Sequence, residues 1–381
     1  MPRRACPTKV YAGARAWRVA RSEIGKRALF VVDANVAFDE PAAAVIRLDA
    51  RDTDLQTVRA LVARLAAHAP DTVVGVGGGS VLDVVKLACL VTCDPGLSDV
   101  LEVWGRRAGV IPLPDGRTPD GRTPQFRRIL VATTIGTGVE VSPVACVESG
   151  RHKRIVIGSR LQPELAVLDP ACTATLPPQL LREGVLEALL RIIGPVAGSA
   201  PVGGLPDAEA AMLVSQLVAG GNRFAAGDTG ADARLAAAML SAATHTGWAL
   251  VGRETFAAKH WYLANELSTV LGLRKMVVTA ALLPAVWTRI ASGDVRYGDK
   301  AQLAMAWSWI DDSEPVTGLR ALLRRWDLDH EVAAPAAAIR TAAHRAVLSW
   351  GGRLPMLSGL TTAEIEDLYT DALRGARTCS A

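Results

Sequence analysis

Four short runs of apolar residues constrain the fold of this chain more than any other feature. They occupy residues 28–33, 72–77, 129–133 and 166–169, and polar side chains hardly interrupt them. Continuous apolar runs of this length are typical of strands that are buried on both faces of a parallel sheet. Residues 55–68, between the first two runs, have the apolar spacing of a helix. The pattern therefore predicts a β-α-β unit within a doubly wound α/β sheet.

The pattern changes after Pro177 and Pro178, where strand signals fade and helical periodicity takes over. Proline suits the first turn of a helix. Helices are predicted over residues 179–193, 208–220, 231–250, 255–270, 276–290 and 336–348. Thr361 and Glu364 have the spacing of a capping box at the start of a further helix. We therefore expect an α/β domain over residues 1–175 and an all-helical domain over residues 176–381.

Composition and charge exclude several classes of protein. Half of the 381 residues are hydrophobic and 21% are charged, a balance that argues against a disordered chain. The net charge of +4 is too small to predict a nucleic-acid partner. No run approaches the roughly 18 apolar residues of a membrane-spanning helix, and the N-terminus lacks the apolar core of a secretory signal. The scattered cysteines, without a Cys-x-x-Cys motif, predict reduced thiols, so we expect a cytoplasmic protein that binds no membrane.

Residues 94–128 fit neither half and contain the doubled turn sequence GRTPDGRTP. One interpretation is a solvated loop. The other is a basic lip over a cleft that receives an acidic or extended substrate.

A glycine-rich turn, Gly75-Val76-Gly77-Gly78-Gly79-Ser80, joins a predicted strand to a predicted helix over residues 81–90. Glycine lets the backbone approach a ligand closely, and a helix N-terminus presents free N–H groups and a positive dipole to an anion. This context predicts a phosphate site. Asp83 and Lys86 follow in the helix, where a buried acid at a cleft and a surface pair both remain open.

A second glycine cluster, residues 132–142, follows the next predicted strand and carries threonines that can bind ribose and phosphate oxygens. Both clusters lie at the carboxyl ends of strands, where open α/β sheets bind their ligands. Asp33 ends the first strand, and its carboxylate there can bind the hydroxyls of an adenosine ribose and repel a 2′-phosphate. The alternative for Asp33 is a turn-forming role in the sequence Asp-Ala-Asn.

The segments GGGSVLDVVK (77–86) and ATTIGTGVEVS (132–142) resemble the two signatures of the iron-containing alcohol dehydrogenases, which share a fold with dehydroquinate synthase. Residues 154–177 and the sequence LLP at 282–284 extend the resemblance. It implies a dinucleotide-binding α/β domain, an all-helical catalytic domain, an active site in the cleft between them, and a homodimer. It also implies NAD as cofactor, with binding residues Asp33, Gly77, Gly78, Gly79, Ser80, Asp83, Thr133, Thr134, Thr137, Arg154 and Leu168.

The metal site departs from the pattern of that family, which binds a divalent ion with an acid and histidines. The resemblance leads to Glu187 and Arg191 on the first helix of the helical half, to His260 further on, and to Lys275 before Pro284. Arginine offers no lone pair to a metal. Cations repel a divalent ion, and two protein ligands are fewer than such sites use. We therefore predict that the protein has no catalytic metal.

Charged side chains can do part of the work of the metal. Lys275 or Arg191 would stabilise a developing alkoxide, His260 or Lys275 would accept the proton, and Glu187 would orient the cations. The alternatives are a satisfied helix histidine for His260 and a surface lysine for Lys275. The cations would also suit a substrate carboxylate, because oxidation of a β-hydroxy acid gives a β-keto acid that readily loses CO2. The chain resembles in this respect the dehydrogenases of daptide-type ribosomal peptide pathways, which oxidise and decarboxylate a C-terminal threonine.

The leading hypothesis is an NAD-dependent oxidoreductase that acts on a small-molecule or peptide hydroxyl. Two alternatives remain: a cyclase like dehydroquinate synthase, which Glu187 favours, and a redox-silent nucleotide-binding subunit of a biosynthetic complex, which the lost metal ligands favour. A homodimer is expected from the resemblance alone, and a complex with a pathway partner protein is left open.

Overall fold

The computed structural model of the protein describes residues 8–38, 44–51, 53–114, 126–150, 152–329 and 331–374. Its β-strands are β1 (Lys9–Ala12), β2 (Ala28–Asp33), β3 (Ala44–Leu48), β4 (Thr72–Gly77), β5 (Val110–Pro112), β6 (Arg127–Ala132), β7 (Val144–Ser149), β8 (His152–Ile157) and β9 (Leu165–Leu168). In the first half of the chain, its helices are α1 (Ala16–Ala20), α2 (Leu55–His68), α3 (Gly79–Cys93) and α4 (Leu97–Gly105).

Six strands form one parallel sheet in the order β1-β9-β6-β4-β2-β3. The four strands predicted from the sequence are its interior members, which confirms the doubly wound α/β class. The two edge strands, β1 and β3, were not predicted. Their residues are mostly exposed or half-buried, so they lack the continuous apolar run of a buried strand.

Two apolar layers cover the faces of this sheet. Leu29 and Val31 of β2 belong to one layer, which includes apolar residues of α2, α3 and α4. Phe30 and Val32 belong to the other, with residues of α1. Alternate side chains of one strand thus pack into two separate hydrophobic cores, as expected for a sheet that is covered on both sides.

A second, three-stranded sheet has the order β5-β8-β7. Together with α4, β5 lies within residues 94–128, the segment that fitted neither half of the predicted fold. The doubled turn sequence itself, like residues 115–125 as a whole, lies outside the described residues, so the interpretation as a basic lip stays a prediction.

The second half of the chain is helical. Its helices are α5 (Pro178–Ala197), α6 (Gly204–Ala225), α7 (Ala231–Thr246), α8 (Lys259–Leu271), α9 (Lys275–Ala291), α10 (Lys300–Ser308), α11 (Pro315–Arg325), α12 (Ala336–Trp350) and α13 (Thr362–Arg374). The predicted capping box starts α13, where the Thr361 N–H donates to the Glu364 carboxylate and the Glu364 N–H donates to Thr361 Oγ1. Within the described part of the chain, no helix is both long enough and apolar enough to cross a membrane.

The chain divides into two compact units, and one helix, α7, belongs to a different unit than the sequence predicted. One unit combines the α/β part, up to Leu180, with Gly230–Thr246, and therefore includes α7. The other contains Leu181–Thr229 and the chain after Gly247. Arg234 of α7 explains the difference, because its buried guanidinium donates to the Thr173 carbonyl and, at 3.2 Å, to the Leu176 carbonyl.

In the helical unit, a buried carboxylate links α8 to α12. Glu266 is fully buried, and its oxygens accept from Trp350 Nε1 at 2.9 Å and Arg345 Nε at 3.2 Å. Because a buried charge is tolerated only when it is paired and hydrogen-bonded, this network fixes how the two helices pack.

Candidate functional site

The first glycine cluster forms a turn between β4 and α3 at the carboxyl edge of the sheet. Gly78 is the N-cap of α3 in an extended conformation, no side chain caps the helix, and its first turn contains no acidic residue. The first N–H groups of a helix have no partner within the helix, and the positive end of the dipole favours an anion there. This helix start is therefore suited to hold a phosphate group.

The second glycine cluster packs directly against the first. A Cβ on Gly78 would lie 2.9 Å from Thr134 Cγ2, and one on Gly79 would lie 2.8 Å from Thr137 Cγ2. The Thr133 N–H donates to the Gly77 carbonyl at 3.0 Å. The structure thus brings together the glycines and threonines that the sequence predicted, and no side chain larger than glycine fits between them.

Positive φ angles explain the glycines of the second cluster. Gly136 has φ of 108° and Gly138 has φ of 61°. Residues with a Cβ rarely adopt these conformations, so the turn depends on glycine at both positions.

Asp33 lies beside the first cluster, since a Cβ on Gly77 would be 3.4 Å from Asp33 Cβ. Its Oδ1 atom accepts from the Asn35 backbone N–H at 2.9 Å and from Asn35 Nδ2 at 3.3 Å. Asp33 therefore closes the turn of the Asp-Ala-Asn sequence, which was the alternative considered for it. Its position at the end of β2 remains compatible with the predicted contact to a ribose.

Lys86 and Asp83 are buried in α3, which excludes the surface pair. The Lys86 ammonium is fully buried and donates to the carbonyls of Val139 at 3.0 Å, Ser142 at 2.7 Å and Val144 at 2.5 Å. Burial lowers the pKa of Lys86 to about 8, against the opposing charge of Asp83. Lys86 thus fastens the backbone that follows the second cluster. This role of Lys86 was not predicted from the sequence.

Arg154 and Leu168, both predicted to lie along the cofactor, occupy different places. Leu168 ends β9 at the same carboxyl edge as the glycine clusters. Arg154 belongs to β8 of the small sheet, where it is 2% exposed and donates to the Gly105 carbonyl at 2.6 Å. The resemblance placed Arg154 beside the cofactor, but its buried guanidinium anchors the end of α4 instead.

A polar cluster forms in the helical unit where α5 meets the start of α9. Lys275 Nζ lies 3.3 Å from Glu187 Oε1, and Arg191 Nη2 lies 4.0 Å from the same oxygen. Lys275 Nζ also lies 4.7 Å from the centre of the Trp261 ring, a cation–π distance. The surface-lysine alternative is therefore excluded, because the Glu187 carboxylate and the Trp261 ring fix the Lys275 ammonium.

A second ion pair lies one helical turn earlier on α5. Arg274 binds both carboxylate oxygens of Glu183, at 2.6 and 3.2 Å. Glu183 and Glu187 are four residues apart and lie on one face of α5. Arg274 and Lys275, which are adjacent in the chain, each pair with one of these two carboxylates. Glu183 and Arg274 were not predicted from the sequence, although Glu183 lies four residues before Glu187 and Arg274 lies next to Lys275.

His260 is brought close to this cluster but does not expose its ring. It is 3% exposed, its Nε2 has no hydrogen-bond partner among the described residues, and its ring lies 4.5 Å from that of Trp261. A Cβ on Gly194 of α5 would lie 2.6 Å from His260 Cε1. Burial, and then the charge of Lys275, lower the pKa of His260 to about 3. The lowered pKa makes the ring a weak base near pH 7, which argues against its predicted role as proton acceptor.

The residues of this cluster do not fit a catalytic metal ion. The carboxylate of Glu187 is already paired with an ammonium, and Arg191 cannot ligate. In the part of the chain that the structure describes, no three His, Cys, Asp or Glu side chains come together as a ligand set. An ion here would need to displace Lys275 and would still have too few protein ligands.

Comparison with known proteins gives two kinds of similarity. Residues 7–170 match the family model for iron-containing alcohol dehydrogenases. A long-chain-alcohol dehydrogenase of Geobacillus thermodenitrificans is 32% identical over 124 residues, 32% of this chain and 28% of the relative. A phosphonoacetaldehyde reductase of Streptomyces viridochromogenes is 35% identical over 139 residues, 36% and 33% of the two chains. The matched segment thus spans about a third of the length of these relatives.

Solved structures match the whole chain at low identity. An NADH-dependent butanol dehydrogenase of Thermotoga maritima has a TM-score of 0.77 at 17% identity and covers 98% of both chains. A maleylacetate reductase of a Rhizobium species has a TM-score of 0.72 at 18% identity and covers 97% of both. These neighbours establish the fold. The α/β part of the chain is therefore similar in sequence to the iron-containing alcohol dehydrogenases, and the whole chain shares the fold of these solved structures.

Proposed function

We propose that this protein is an NAD-dependent oxidoreductase in which the ammonium of Lys275, and not a metal ion, stabilises the reacting oxygen of the substrate. The similarity of residues 7–170 to the iron-containing alcohol dehydrogenases supports the reaction class. The observation that carries the finer proposal is the position of Lys275, whose ammonium is fixed by Glu187 and by the ring of Trp261.

The two glycine clusters and Asp33 are proposed to hold NAD. The uncapped start of α3 would bind the pyrophosphate, and Asp33 would bind the adenosine ribose and disfavour a 2′-phosphate. When bound, the nicotinamide supplies or accepts a hydride. The remaining predicted contacts are Gly77, Gly78, Gly79, Ser80, Asp83, Thr133, Thr134, Thr137 and Leu168.

Lys275 is proposed to move the proton that balances the hydride. In the reductive direction, hydride reaches the carbonyl carbon while the ammonium donates a proton to the oxygen. In the oxidative direction, the neutral amine accepts the hydroxyl proton while hydride leaves the carbon. Lys275 remains as a proton carrier because His260 has a pKa of about 3. Glu187 positions the ammonium, and Arg191 adds positive charge where the oxygen becomes negative.

The charges of the cluster favour a substrate that carries a carboxylate. Lys275 and Arg191 provide two cations against the single carboxylate of Glu187, and both cations are partly exposed. A β-hydroxy acid fits this arrangement, and the C-terminal threonine of a peptide is one. Its oxidation would transfer hydride to NAD⁺ and a proton to Lys275. The resulting β-keto carboxylate would lose CO2, and the enolate that remains would take up a proton on carbon to give an aminoketone.

The proposal is tested by following nicotinamide absorbance with the purified full chain and a panel of simple alcohols, β-hydroxy acids and threonine-terminated peptides. Turnover that falls about a hundred-fold or more in Lys275→Met is expected, the usual loss when a positioned proton donor or oxyanion stabiliser is removed. Arg274→Met is the matched control, because it removes the adjacent cation and its carboxylate pair. Full activity in Lys275→Met would refute the role of Lys275, and NAD binding without turnover on the panel would favour the redox-silent alternative.

A further inference from the structure

Helix α7 lies against the second glycine cluster within the α/β unit. Ser241 is 1% exposed, and its Oγ accepts from the Gly136 N–H at 3.2 Å. One turn later, His245 Nε2 lies 3.0 Å from the Thr137 carbonyl oxygen. Two side chains spaced i and i+4 thus contact two peptide groups of the turn, one on each side of the peptide that joins Gly136 to Thr137.

The direction of the His245 bond follows from its partner. A carbonyl oxygen only accepts, so Nε2 carries the proton and donates it to Thr137. The histidine ring also lies against Gly138, where a Cβ would overlap its Cδ2 and Nε2 atoms. Gly138 therefore has two reasons to be glycine: its φ of 61° and the ring of His245.

The far end of α7 is held independently. Arg234 donates to the carbonyls of Thr173 and Leu176, which follow the last strand of the sheet. The helix is thus anchored at its first turns and reaches the glycine turn with its last ones. A loop with positive φ at two positions is costly to hold in one shape, and a fixed helix beside it reduces the alternatives.

We infer that α7 is a positioning element of the dinucleotide site, in which Ser241 and His245 hold the turn Gly136–Gly138 in the shape that binds NAD. The inference rests on the proposed binding of NAD by this edge of the sheet. Helix α7 lies outside both glycine clusters. It belongs to the half of the sequence that was expected to form the helical domain.

The test compares NAD affinity, measured by calorimetry on the full chain, in four variants. Ser241→Ala removes the acceptor of the Gly136 N–H, and His245→Leu removes the donor to Thr137. His245→Gln keeps an amide donor near the position of Nε2. Met239→Ala, on the exposed face of α7, is the control.

We expect Kd for NAD to rise about five-fold in Ser241→Ala and in His245→Leu, the effect of one lost hydrogen bond. His245→Gln should stay within about two-fold of the wild type, and Met239→Ala should be unchanged. Hydrogen exchange of residues 133–141 without NAD should accelerate in Ser241→Ala and His245→Leu alone.

Two results overturn the inference in different ways. Wild-type affinity in both Ser241→Ala and His245→Leu, or a His245→Gln protein as weak as His245→Leu, shows that α7 does not position the turn although NAD binds. A wild-type protein that binds no NAD removes the proposed function itself, and the inference with it.

Discussion

Replacement of Lys86 by methionine is expected to destabilise the α/β unit by about 3–5 kcal/mol. The ammonium donates to three backbone carbonyls, at 3.0, 2.7 and 2.5 Å. Hydrogen bonds to a charged group contribute about 1.5 kcal/mol or more each, so the three together contribute about 4–5 kcal/mol. Methionine avoids the cost of burying an ammonium, which offsets part of this loss. It also leaves the buried carboxylates of Asp83 and Glu140 without their neighbouring cation, which adds to it.

Urea unfolding followed by circular dichroism measures this loss. Lys259→Met is the matched control, because Lys259 is half-buried and donates to a single carbonyl, that of Pro355. We expect it to cost no more than about 1 kcal/mol. If Lys86→Met loses as little unfolding free energy as Lys259→Met, Lys86 does not stabilise the backbone after the second glycine cluster.

The stability difference for Lys86 should also depend on pH. Its pKa is about 8 in the folded protein and takes the ordinary value of 10.5 when the chain unfolds. Between these values the unfolded chain binds more protons, so the unfolding free energy of the wild type should rise with pH relative to that of Lys86→Met. A difference that falls or stays constant over this window would contradict the cited shift.

Three further outcomes are expected. Gly138→Ala should weaken NAD binding at least about ten-fold in calorimetry. Strain at positive φ costs about 1–3 kcal/mol, and the new Cβ would overlap the His245 ring. Unchanged affinity would refute the described packing of the turn. On acidification, His260→Leu should lose less unfolding free energy than the wild type. The pKa of His260 is near 6.5 in the unfolded chain and about 3 in the folded protein, so acid favours the unfolded wild type. Parallel pH profiles in urea unfolding would contradict the burial of a neutral ring. Arg274→Ala should lower the unfolding free energy by no more than about 1 kcal/mol in the same assay, because the side chain is 54% exposed and solvent screens its ion pair with Glu183. A loss of several kcal/mol would contradict this expectation and would show that the pair holds α5 to α9.

The sequence predicted the interior of the sheet and missed its edges. Strands β9, β6, β4 and β2 are buried on both faces, and burial leaves a continuous apolar signal. The exposed edge strands β1 and β3 need no such signal, and their pairing is set by neighbours far along the chain. Local pattern therefore specifies the core of this sheet better than its extent.

The candidate cofactor site was predictable because its chemistry is local. The glycine turn Gly77–Gly79 requires a strand before it and a helix after it, and both are visible in the sequence. The contribution of α7 was not predictable, because Ser241 and His245 meet the turn only through the tertiary fold. The same holds for Lys86, whose three acceptors lie more than 50 residues away along the chain.

The polar cluster shows the limit of arguing from positions alone. The resemblance brought Glu187, Arg191, His260 and Lys275 to one place, and the structure does place them together. It did not reveal that Trp261, one residue beyond His260, faces Lys275. Neighbouring residues of a helix point in directions about 100° apart, so a shift of one residue exchanges a proton acceptor for an aromatic platform.

The most direct test of the central claim measures turnover before and after exhaustive removal of metal ions, with the metal content of the same sample determined in parallel. If the Lys275 ammonium stabilises the reacting oxygen, protein stripped of iron and zinc by a chelator should keep its full rate of nicotinamide turnover. Activity that disappears with the metal, and returns when iron or zinc is added back in stoichiometric amount, would contradict the account.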